Sequence, residues 1–494
     1  MQTKVIELSA STAFKECVLA YGHFNTIHPG HIRYLRHARG LGNQLVVALI
    51  GDKHNSFPFK QHERAEALSL LGIADTVITL ESEELDRALI KLKPAVLVLG
   101  NEYKDKRNIQ KTLQLQRQQG GAVQFHAGET HYATADLLSK SERDLREQRR
   151  ELFQSACRRQ SISKEQLLDG INTWEKTRLI VLGDTIVDQY AACEAIGMSA
   201  EAPVVVVREL ERKNFIGGAA VVASHISALG AQCDFISVVG KDNTAELVRR
   251  ELNTQGIGNG LISDASRPTT FKKRYLVENQ KLFRVSRLEE HNLDTAVEDQ
   301  VIAQLKLLAP KSRGIVVSDF VYGVVTPRIL GVVQELAKKH NLLLFGDLQC
   351  SSQVGSVTRF EHFSLLCPNE REARLALQDK DCGLEQLSQR MLQITQSQRM
   401  VMKLGPEGFI AYDREADGKI SSQPFPALSV NPLDVAGAGD SLLALFATGL
   451  ASGQAMMPTA ALACCMAALA VETMGNTSIS ANALRKSLQE LQLS

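Results

Sequence analysis

The chain has 494 residues, of which 44% are hydrophobic and 22% are charged. This composition is typical of a soluble globular protein, and the length predicts two or three domains. The formal net charge of +1 gives no field that would recruit nucleic acid or an anionic membrane surface, so we expect neither as a partner.

The cysteines and the start of the chain indicate a cytoplasmic protein. The nine cysteines are scattered without a C-x-x-C pair, which favours reduced thiols over a disulfide framework. The N-terminus has no basic-then-apolar signal pattern. The most hydrophobic segment, Ala460–Val471, is shorter than the roughly 20 residues that span a bilayer, and it predicts a buried core helix.

Apolar segments alternate with helical ones between residues 16 and 136. The apolar segments predict four strands, at Cys17–Ala20, Gln44–Ile50, Asp75–Leu80 and Ala95–Leu99. The segments between them predict helices at Ile32–Arg39, Glu63–Leu71 and Glu84–Leu92. This alternation is typical of a parallel sheet covered by helices, and we place the first domain at 1–138.

A histidine-rich turn follows the first predicted strand and opens a helix. His28 and His31 are three residues apart, so within a helix they share one face. Phosphates at the helix N-terminus would meet backbone N–H groups and both imidazoles, which can stabilise charge on an α-phosphate while pyrophosphate leaves. On spacing alone, a zinc site and incidental surface histidines are together as well supported as this phosphate contact.

The same turn resembles the G-x-F-D-x-x-H-x-G-H signature of the cytidylyltransferase-like nucleotidyltransferases. The resemblance implies a Rossmann-like domain in which His28 and His31 contact the nucleotide phosphates in the transition state. The further nucleotide-binding residues that it implies are Gly22, Phe24, Arg64 and Thr134. Asn25 replaces the aspartate of the signature and Leu99 replaces a usual lysine, both where the acceptor phosphate is expected. The nucleotide can be ATP or CTP.

Residues 139–176 are dense in charges of both signs and carry few apolar residues. We predict a solvated helical linker here and a second domain at 177–494. Trp174, the only tryptophan, is expected to pack at the start of that domain.

A second alternation of strands and helices begins at Arg178. The segment Arg178–Asp184 opens this unit, and the predicted strands that follow are Gly314–Ser318, Leu342–Phe345 and Met400–Lys403. They again predict a parallel sheet with helices. The segments Tyr190–Phe215 and Thr269–Val285 are β-rich and predict a small lid over that sheet.

A glycine-rich turn lies between the apolar run Ala427–Val430, which predicts a strand end, and the helical run Leu442–Leu450. Gly437 and Gly439 let backbone N–H groups approach a ligand, and a glycine turn at a helix N-terminus favours phosphate. Asp440, a carboxylate beside such a site, could take a proton from an attacking hydroxyl. From spacing alone, a plain glycine turn with Asp440 as the N-cap is as well supported.

The segment Asp434–Asp440 resembles the D-T/V-x-G-A-G-D signature of the ribokinase/PfkB family of sugar kinases, and Pro368–Glu372 resembles its P-N-x-x-E motif. The resemblance implies a ribokinase-like α/β fold, a glycine anion hole, and Asp440 as the base that activates the sugar hydroxyl. It also implies that Glu372 positions Mg²⁺ through water. The implied nucleotide-binding residues are Asn369, Glu372, Lys403, Gly405, Gly437, Ala438 and Gly439. The implied substrate-binding residues are Asp184, Asp188, Gly217, Gly218 and Arg274.

Taken without the resemblance, two of these motifs have simpler explanations. Gly183 and Asp184 fit a strand-end turn, and Asn369 with Glu372 fits any helix start.

Three positions of this domain depart from the family pattern. Val221 stands in place of an asparagine, and Tyr322 and Gln349 stand in place of lysines. Lysines near transferring phosphates neutralise developing charge. Their loss implies a different sugar phosphate, weakened catalysis, or compensation by the basic residues 272–274.

Together the two domains resemble the bacterial bifunctional enzymes of ADP-heptose synthesis, with the nucleotidyltransferase first in the chain. That resemblance implies a heptose 7-phosphate kinase joined to a heptose 1-phosphate adenylyltransferase, which use ATP and Mg²⁺ to make a lipopolysaccharide precursor. We expect sugar phosphates and nucleotides as partners and a homodimer through the lid. Two alternatives stay open. One is a kinase for another sugar whose N-terminal domain has a different specificity or only binds a nucleotide. The other is a pair of degenerate scaffolds that bind ATP without turnover.

Overall fold

The computed structural model describes the chain except for residues 1–2, 12–13, 15, 26, 28, 54–58, 83, 101–102, 104–108, 127–141, 279, 350–354, 381, 416 and 492–494. The chain divides into two compact units. The first is Met1–Asp144 with Leu377–Met391, and the second is Leu145–Ala376 with Leu392–Ser494. Both are built from strands and helices, as the sequence predicts.

A parallel sheet forms the centre of the first unit. Its strands are β1 (Lys4–Glu7), β2 (Val18–Gly22), β3 (Leu45–Leu49), β4 (Thr76–Thr79), β5 (Val96–Gly100) and β6 (Ala122–His126). Its helices include α1 (Pro29–Gly40), α2 (Gln61–Leu70), α3 (Leu85–Leu92) and α4 (Gln110–Gln118). In the described residues the strand order is β1-β4-β3-β2-β5-β6, and all neighbouring pairs are parallel. The predicted strands and helices of this domain are all present.

Both faces of this sheet are covered. Leu19 and Tyr21 of β2 belong to an apolar cluster that includes residues of α3, while Val18 and Ala20 belong to a second cluster with residues of α1 and α2. Alternate strand residues therefore point to opposite faces and are buried on both, as in other parallel sheets.

The charged segment predicted as a linker forms α5 (Glu142–Arg159) and α6 (Lys164–Asn172). Its helical character is confirmed, and most of α5 is at least partly exposed, but one narrow face of it is buried. Phe153, Ala156 and Cys157 recur at helical spacing and are buried in the core of the second unit together with Trp174. The stripe is narrow, so the many charges of the same helix hide it in the sequence.

A long mixed sheet forms the centre of the second unit. The strands of this unit are β7 (Arg178–Gly183), β8 (Thr185–Met198), β9 (Val205–Gly218), β10 (Gln232–Val239), β11 (Gly258–Ser263), β12 (Thr270–Val277), β13 (Gln280–Arg287), β14 (Gly314–Asp319), β15 (Leu343–Leu348), β16 (Leu365–Leu366), β17 (Arg399–Lys403), β18 (Phe409–Arg414) and β19 (Ile420–Phe425). Across the described residues the central sheet has the order β11-β10-β7-β14-β15-β16-β17-β18-β19. Its pairs are parallel up to β17 and antiparallel beyond it. The carboxyl ends of the parallel strands therefore meet at one edge, the usual place for a ligand site.

The remaining helices continue in chain order. They are α7 (Ala219–Ala228), α8 (Asn243–Thr254), α9 (Thr295–Leu308), α10 (Pro327–His340), α11 (Glu370–Leu377), α12 (Leu384–Thr395), α13 (Ala438–Ala451), α14 (Met456–Val471) and α15 (Ala481–Glu490). The most apolar of them, α14, lies in the core, as predicted for Ala460–Val471. Among the described residues, no helix is both long enough and apolar enough to cross a membrane.

A separate sheet confirms the predicted lid. Its strand order in the described residues is β13-β12-β8-β9. Strand β8 pairs antiparallel with β9 and parallel with β12, so Lys272 lies beside Asp188 and Arg274 beside Tyr190.

The run Ala427–Val430 is not a strand, contrary to the prediction. Strand β19 ends at Phe425 and the run that follows is irregular. Pro426 comes directly after the strand and has no backbone N–H with which to continue a ladder.

Candidate active sites

The glycine turn leads directly into α13. Gly437 is the N-cap residue and has φ of 78°, a left-handed conformation that glycine adopts without strain. A Cβ on Gly437 would lie 2.7 Å from Oδ1 of Asn476, and one on Gly439 would lie 3.2 Å from Nζ of Lys403. Asp440 lies in the first turn of the helix, so the alternative in which it is the N-cap is wrong.

Asp440 is buried. Its carboxylate contacts Gln349, which stands where the family pattern has a lysine. Its Oδ1 accepts a hydrogen bond of 2.8 Å from Nε2 of Gln349. Burial raises the pKa of Asp440 from 3.8 to about 8, and the negative charge of Asp347 adds to the rise. Lys403 and the hydrogen bond from Gln349 oppose it without cancelling it. A carboxyl with such a pKa is suited to exchange a proton near neutral pH.

Lys403 is the last residue of β17, and its ammonium lies beside the glycine turn. Its Nζ donates to both carboxylate oxygens of Asp347, each at 2.8 Å. Burial alone would lower the pKa of Lys403, but the negative charges of Asp347 and Glu372 hold it above its usual range. A permanent positive charge therefore lies beside the glycine turn, where it can bind phosphate.

Asn369 and Glu372 form a reciprocal cap at the start of α11. The Asn369 N–H donates to Oε2 of Glu372, and the Glu372 N–H donates to Oδ1 of Asn369, both at 2.8 Å. The two side chains thus hold the helix start in the geometry of a capping box. Both face the same cavity as Lys403.

That cavity has a volume of about 600 Å³. The predicted residues that line it are Gly405, Asn369, Glu372, Lys403, Gly437, Ala438, Gly439 and Asp440. Apolar residues line it as well, namely Leu428, Val430, Val435, Ala467, Ala468 and Val471. The structure therefore brings the whole predicted nucleotide set of this domain together, in a space that combines apolar surface with a few polar groups.

Three residues at or near this cavity are absent from the site residues that the sequence predicts. Arg149 of α5 lines the cavity, and its guanidinium donates to the carbonyl of Ser429. Asn476 donates from Nδ2 to the carbonyl of Ile216 at 3.2 Å. The apolar stripe of α5 is the signal that could have placed Arg149 on this unit. No motif marks Ser429 or Asn476.

Asp188, on strand β8 of the lid, contacts side chains from the lid and from the rest of the second unit. Arg274 donates to its Oδ1, and Nδ2 of Asn476 lies 3.5 Å from its Oδ2. A Cβ on Gly217 would lie 2.6 Å from the same Oδ2. The predicted substrate residues Asp188, Arg274 and Gly217 are therefore in contact, and a Cβ at position 217 would push the carboxylate of Asp188 aside.

Asp184 has a different environment from Asp188. Its carboxylate is buried and accepts hydrogen bonds from the backbone N–H groups of Phe320, Val324 and Tyr322, at 2.7, 3.4 and 3.5 Å. Burial raises its pKa, and the charge of a neighbouring carboxylate adds to the rise. Gly218, with φ of 64°, is glycine because a Cβ there would lie 2.3 Å from the Asp184 carbonyl oxygen. Asp184 thus shapes the loop after β14, and a direct contact with substrate stays a prediction.

The candidate site of the first unit surrounds the start of α1. His31 is buried, and its ring lies 5.0 Å from the ring of Phe24, between centroids. Phe24 has φ of 47°, and a Cβ on Gly22 would touch its ring at 3.1 Å. Oδ1 of Asn25 is buried without a hydrogen-bond donor among the described residues, which leaves an acceptor free for a ligand. His28 and Thr134 lie outside the described residues.

Arg64 holds this region together. Its guanidinium donates to the carbonyls of His23 and Ile50 and to Oδ1 of Asp52, the last at 2.6 Å. The side chain is only 1% exposed. In this structure Arg64 binds protein groups, and the nucleotide contact predicted for it stays a prediction.

A magnesium site would use the nucleotide as well as the protein. No cluster of three or more histidine, cysteine, aspartate or glutamate side chains that could hold a metal occurs in the described part of the chain. Glu372 nevertheless fits the predicted role, since Mg²⁺ commonly keeps its waters and binds one carboxylate together with substrate phosphates.

The fold and these sites define an α/β phosphotransferase with a glycine turn at the start of α13 and a β lid. The pfkB family of carbohydrate kinases matches residues 176–483, and the chain belongs to that family. Residues 19–163 match the cytidylyltransferase-like family. Both predicted resemblances are confirmed, with the nucleotidyltransferase domain first.

Curated relatives cover part of the chain. It is 31% identical to the Bifunctional protein HldE of Geobacter sulfurreducens over 61% of this chain and 61% of that protein. It is 29% identical to the Bifunctional protein HldE of Campylobacter jejuni subsp. doylei over 62% of this chain and 63% of that protein. The match thus spans about three fifths of the length of these relatives.

Solved structures show the kinase fold. The Escherichia coli phosphofructokinase-2 in complex with substrates and products superposes with a TM-score of 0.53 at 16% identity, over 64% of this chain and 99% of that one. The Thermotoga maritima ribokinase gives 0.51 at 19% identity, over 64% and 99%.

Proposed function

We propose that the chain is a bifunctional enzyme that phosphorylates a sugar phosphate and also joins a sugar 1-phosphate to a nucleotide, as in the synthesis of ADP-heptose from heptose 7-phosphate. The observation that carries the kinase half is the buried carboxylate of Asp440 in the first turn of α13, beside the glycine turn and Lys403. The two family matches and the name of the HldE relatives support the pairing of activities.

In the kinase reaction, Asp440 takes the proton from the anomeric hydroxyl of the sugar phosphate. The hydroxyl oxygen forms a bond to the γ-phosphorus of ATP, the bond from that phosphorus to the bridging oxygen breaks, and ADP leaves. Backbone N–H groups of 437–439 and the ammonium of Lys403 bind the phosphoryl oxygens. Mg²⁺, when bound, neutralises phosphate charge, and Glu372 would hold it through water.

In the nucleotidyl transfer, a phosphate oxygen of the sugar 1-phosphate attacks the α-phosphorus of ATP and pyrophosphate leaves. His28 and His31 donate hydrogen bonds to the phosphate oxygens as charge builds on them. CTP is the other nucleotide that the domain family accommodates. ATP-dependent chemistry and the free thiols of the described cysteines support a cytoplasmic location.

Sugar-phosphate phosphorylation tests the kinase half. A panel of sugar phosphates, with heptose 7-phosphate first, should identify an acceptor, and product regiochemistry should show phosphate on the anomeric oxygen. Asp440→Asn should lower kcat by roughly 10²- to 10⁴-fold and leave ATP affinity nearly unchanged. Equal kcat in the variant would exclude Asp440 as the base.

Pyrophosphate release tests the other half. Wild type should release pyrophosphate from ATP with a sugar 1-phosphate, and His28→Ala should abolish the release while kinase turnover in the same sample continues. A wild type that binds ATP but releases no pyrophosphate with any sugar 1-phosphate would support the alternative in which this domain only binds a nucleotide.

We further propose a homodimer through the lid. Its sheet exposes apolar side chains, each between 43% and 63% exposed: Ile196, Met198, Val204, Val205, Leu210, Leu282, Phe283 and Val285. Apolar patches of this kind usually mark an interface. Sedimentation equilibrium should show a dimer that Phe283→Asp with Val285→Asp converts to monomer, whereas Leu307→Asp, at an exposed position of α9, should not. A monomeric wild type at micromolar concentration would refute it.

A further inference from the structure

Strand β12 of the lid carries three consecutive basic residues with different environments. Nζ of Lys273 lies 2.6 Å from Oε2 of Glu209. Arg274 forms an ion pair with Asp188. Lys272 is only 4% exposed and has no carboxylate within ion-pair distance among the described residues. Its ammonium instead lies 5.1 Å from the ring centroid of Tyr322 and 5.8 Å from that of Phe320.

The strand register places Lys272 on the sugar side of the site. Lys272 pairs with Asp188 of the parallel neighbour β8, and paired residues of adjacent strands point to the same face. Arg274, two residues further along, shares that face and contacts Asp188. Lys403 lines the cavity beside the glycine turn, whereas Lys272 does not. The transferring phosphate therefore has its own lysine, and Lys272 is left for the other substrate.

A buried ammonium without an anion is costly, and aromatic rings offset only part of that cost. Tyr322, the residue beneath the ammonium, occupies the position where the family pattern has a lysine. The positive charge missing from the loop after β14 is thus present on the lid strand instead. We propose that Lys272 binds the phosphate group that the sugar substrate already carries, and so determines selection of a sugar phosphate over a free sugar. This inference rests on the proposed kinase function.

Substitution of Lys272 by methionine tests the proposal, because methionine keeps most of the side-chain volume and removes the charge. Kinase assays on the full chain should give a KM for heptose 7-phosphate about 100-fold higher in Lys272→Met. The KM for ATP should change little. Calorimetry should show a matching loss of heptose 7-phosphate affinity, and Lys272→Arg should restore part of it.

Lys273→Met is the matched control, since it removes a lysine from the same strand that faces Glu209 instead. Equal KM values for the sugar phosphate in Lys272→Met and Lys273→Met would overturn the inference while leaving the kinase assignment intact. A Lys272→Met variant with lower kcat but unchanged KM would also overturn it, because that pattern indicates contact with the transferring phosphoryl group. If wild type binds or phosphorylates no sugar phosphate, both the inference and the proposed function fail. Thermal stabilisation by ATP, measured for every variant, shows whether Lys272→Met is folded.

Discussion

Asp440 is buried deeply enough that its pKa is about 8, so at neutral pH most molecules carry a proton that must leave before the carboxylate can act as a base. We therefore expect kcat/KM of the kinase reaction to rise with pH, with a midpoint near 8 and a plateau above it. A pH profile with saturating ATP measures this. A flat profile between pH 6 and 9 would contradict it.

Gln349 provides a way to shift that midpoint. Gln349→Lys brings a positive charge to the hydrogen-bonding position on Asp440, which favours the ionised carboxylate, so the midpoint should move to lower pH. Gln349→Met, which removes the donor without adding charge, should move it to higher pH. Shifts in the same direction in both variants would show that the hydrogen bond does not control the base.

For single residues, the sequence predicts which side chains belong to the site better than it predicts which residues they contact. The D-x-x-G-A-G-D motif locates Asp440, and the resemblance locates Lys403. Neither shows that Lys403 is paired with Asp347 or that Gln349 donates to Asp440, because both contacts join residues that are more than 50 positions apart, 56 and 91 respectively. The burial of Arg64 was hidden as well, because its partners lie outside its own helix, in the two segments that precede α1 and α2.

The start of α11 combines capping with proposed metal binding, and one substitution separates them. Glu372→Gln keeps a side-chain oxygen that can accept the Asn369 N–H, but it removes the negative charge. We expect a near-normal melting temperature and a several-fold higher Mg²⁺ concentration for half-maximal kinase activity. Glu372→Ala, which also loses the cap at a cost of about 1 kcal/mol, should lower the melting temperature and raise the Mg²⁺ requirement as well. An unchanged Mg²⁺ dependence in Glu372→Gln would limit Glu372 to capping.

The glycine turn before α13 requires both its backbone angle and its empty side. Gly437→Ala should abolish most kinase activity, because its φ is 78° and a Cβ would collide with Asn476. Gly453→Ala is the matched control: φ is 93° there, but nothing lies within 4 Å of the added Cβ. Both should lose about 1 kcal/mol from backbone strain, and only Gly437→Ala should lose turnover. Equal kinase activity in the two variants would show that the collision is absorbed elsewhere.

The sequence predicts best those elements whose apolar residues form a clear pattern. Buried parallel strands such as β3 and β14 are continuous apolar runs with helices between them, which is an unambiguous pattern. The run Ala427–Val430 has the same composition but lines a cavity instead of pairing, and composition does not separate these two cases. In α5, three apolar residues decide the packing of an 18-residue helix, so the average character of the segment is misleading.

Across the whole molecule, buried acids make stability depend on pH. The folded state raises the pKa of Asp440 from 3.8 to about 8, and that of Asp184 is also raised. The folded chain therefore binds protons that the unfolded chain has released. Their contribution to the free energy of unfolding is fully present below pH 3.8 and is lost as the pH rises to about 8.

Asp440→Asn removes one of these titrations while retaining the oxygen that accepts from Gln349. The melting temperature of wild type should therefore fall between pH 5 and pH 9 by more than that of the variant, and at pH 9 the variant should melt a few degrees higher. Asp169→Asn, at an exposed position of α6, is the control. The difference between its melting temperatures at pH 5 and pH 9 should equal that of wild type. An Asp440→Asn variant that is less stable than wild type at pH 9 would mean that the ionised carboxylate is stabilised in the fold, and that its pKa cannot be near 8.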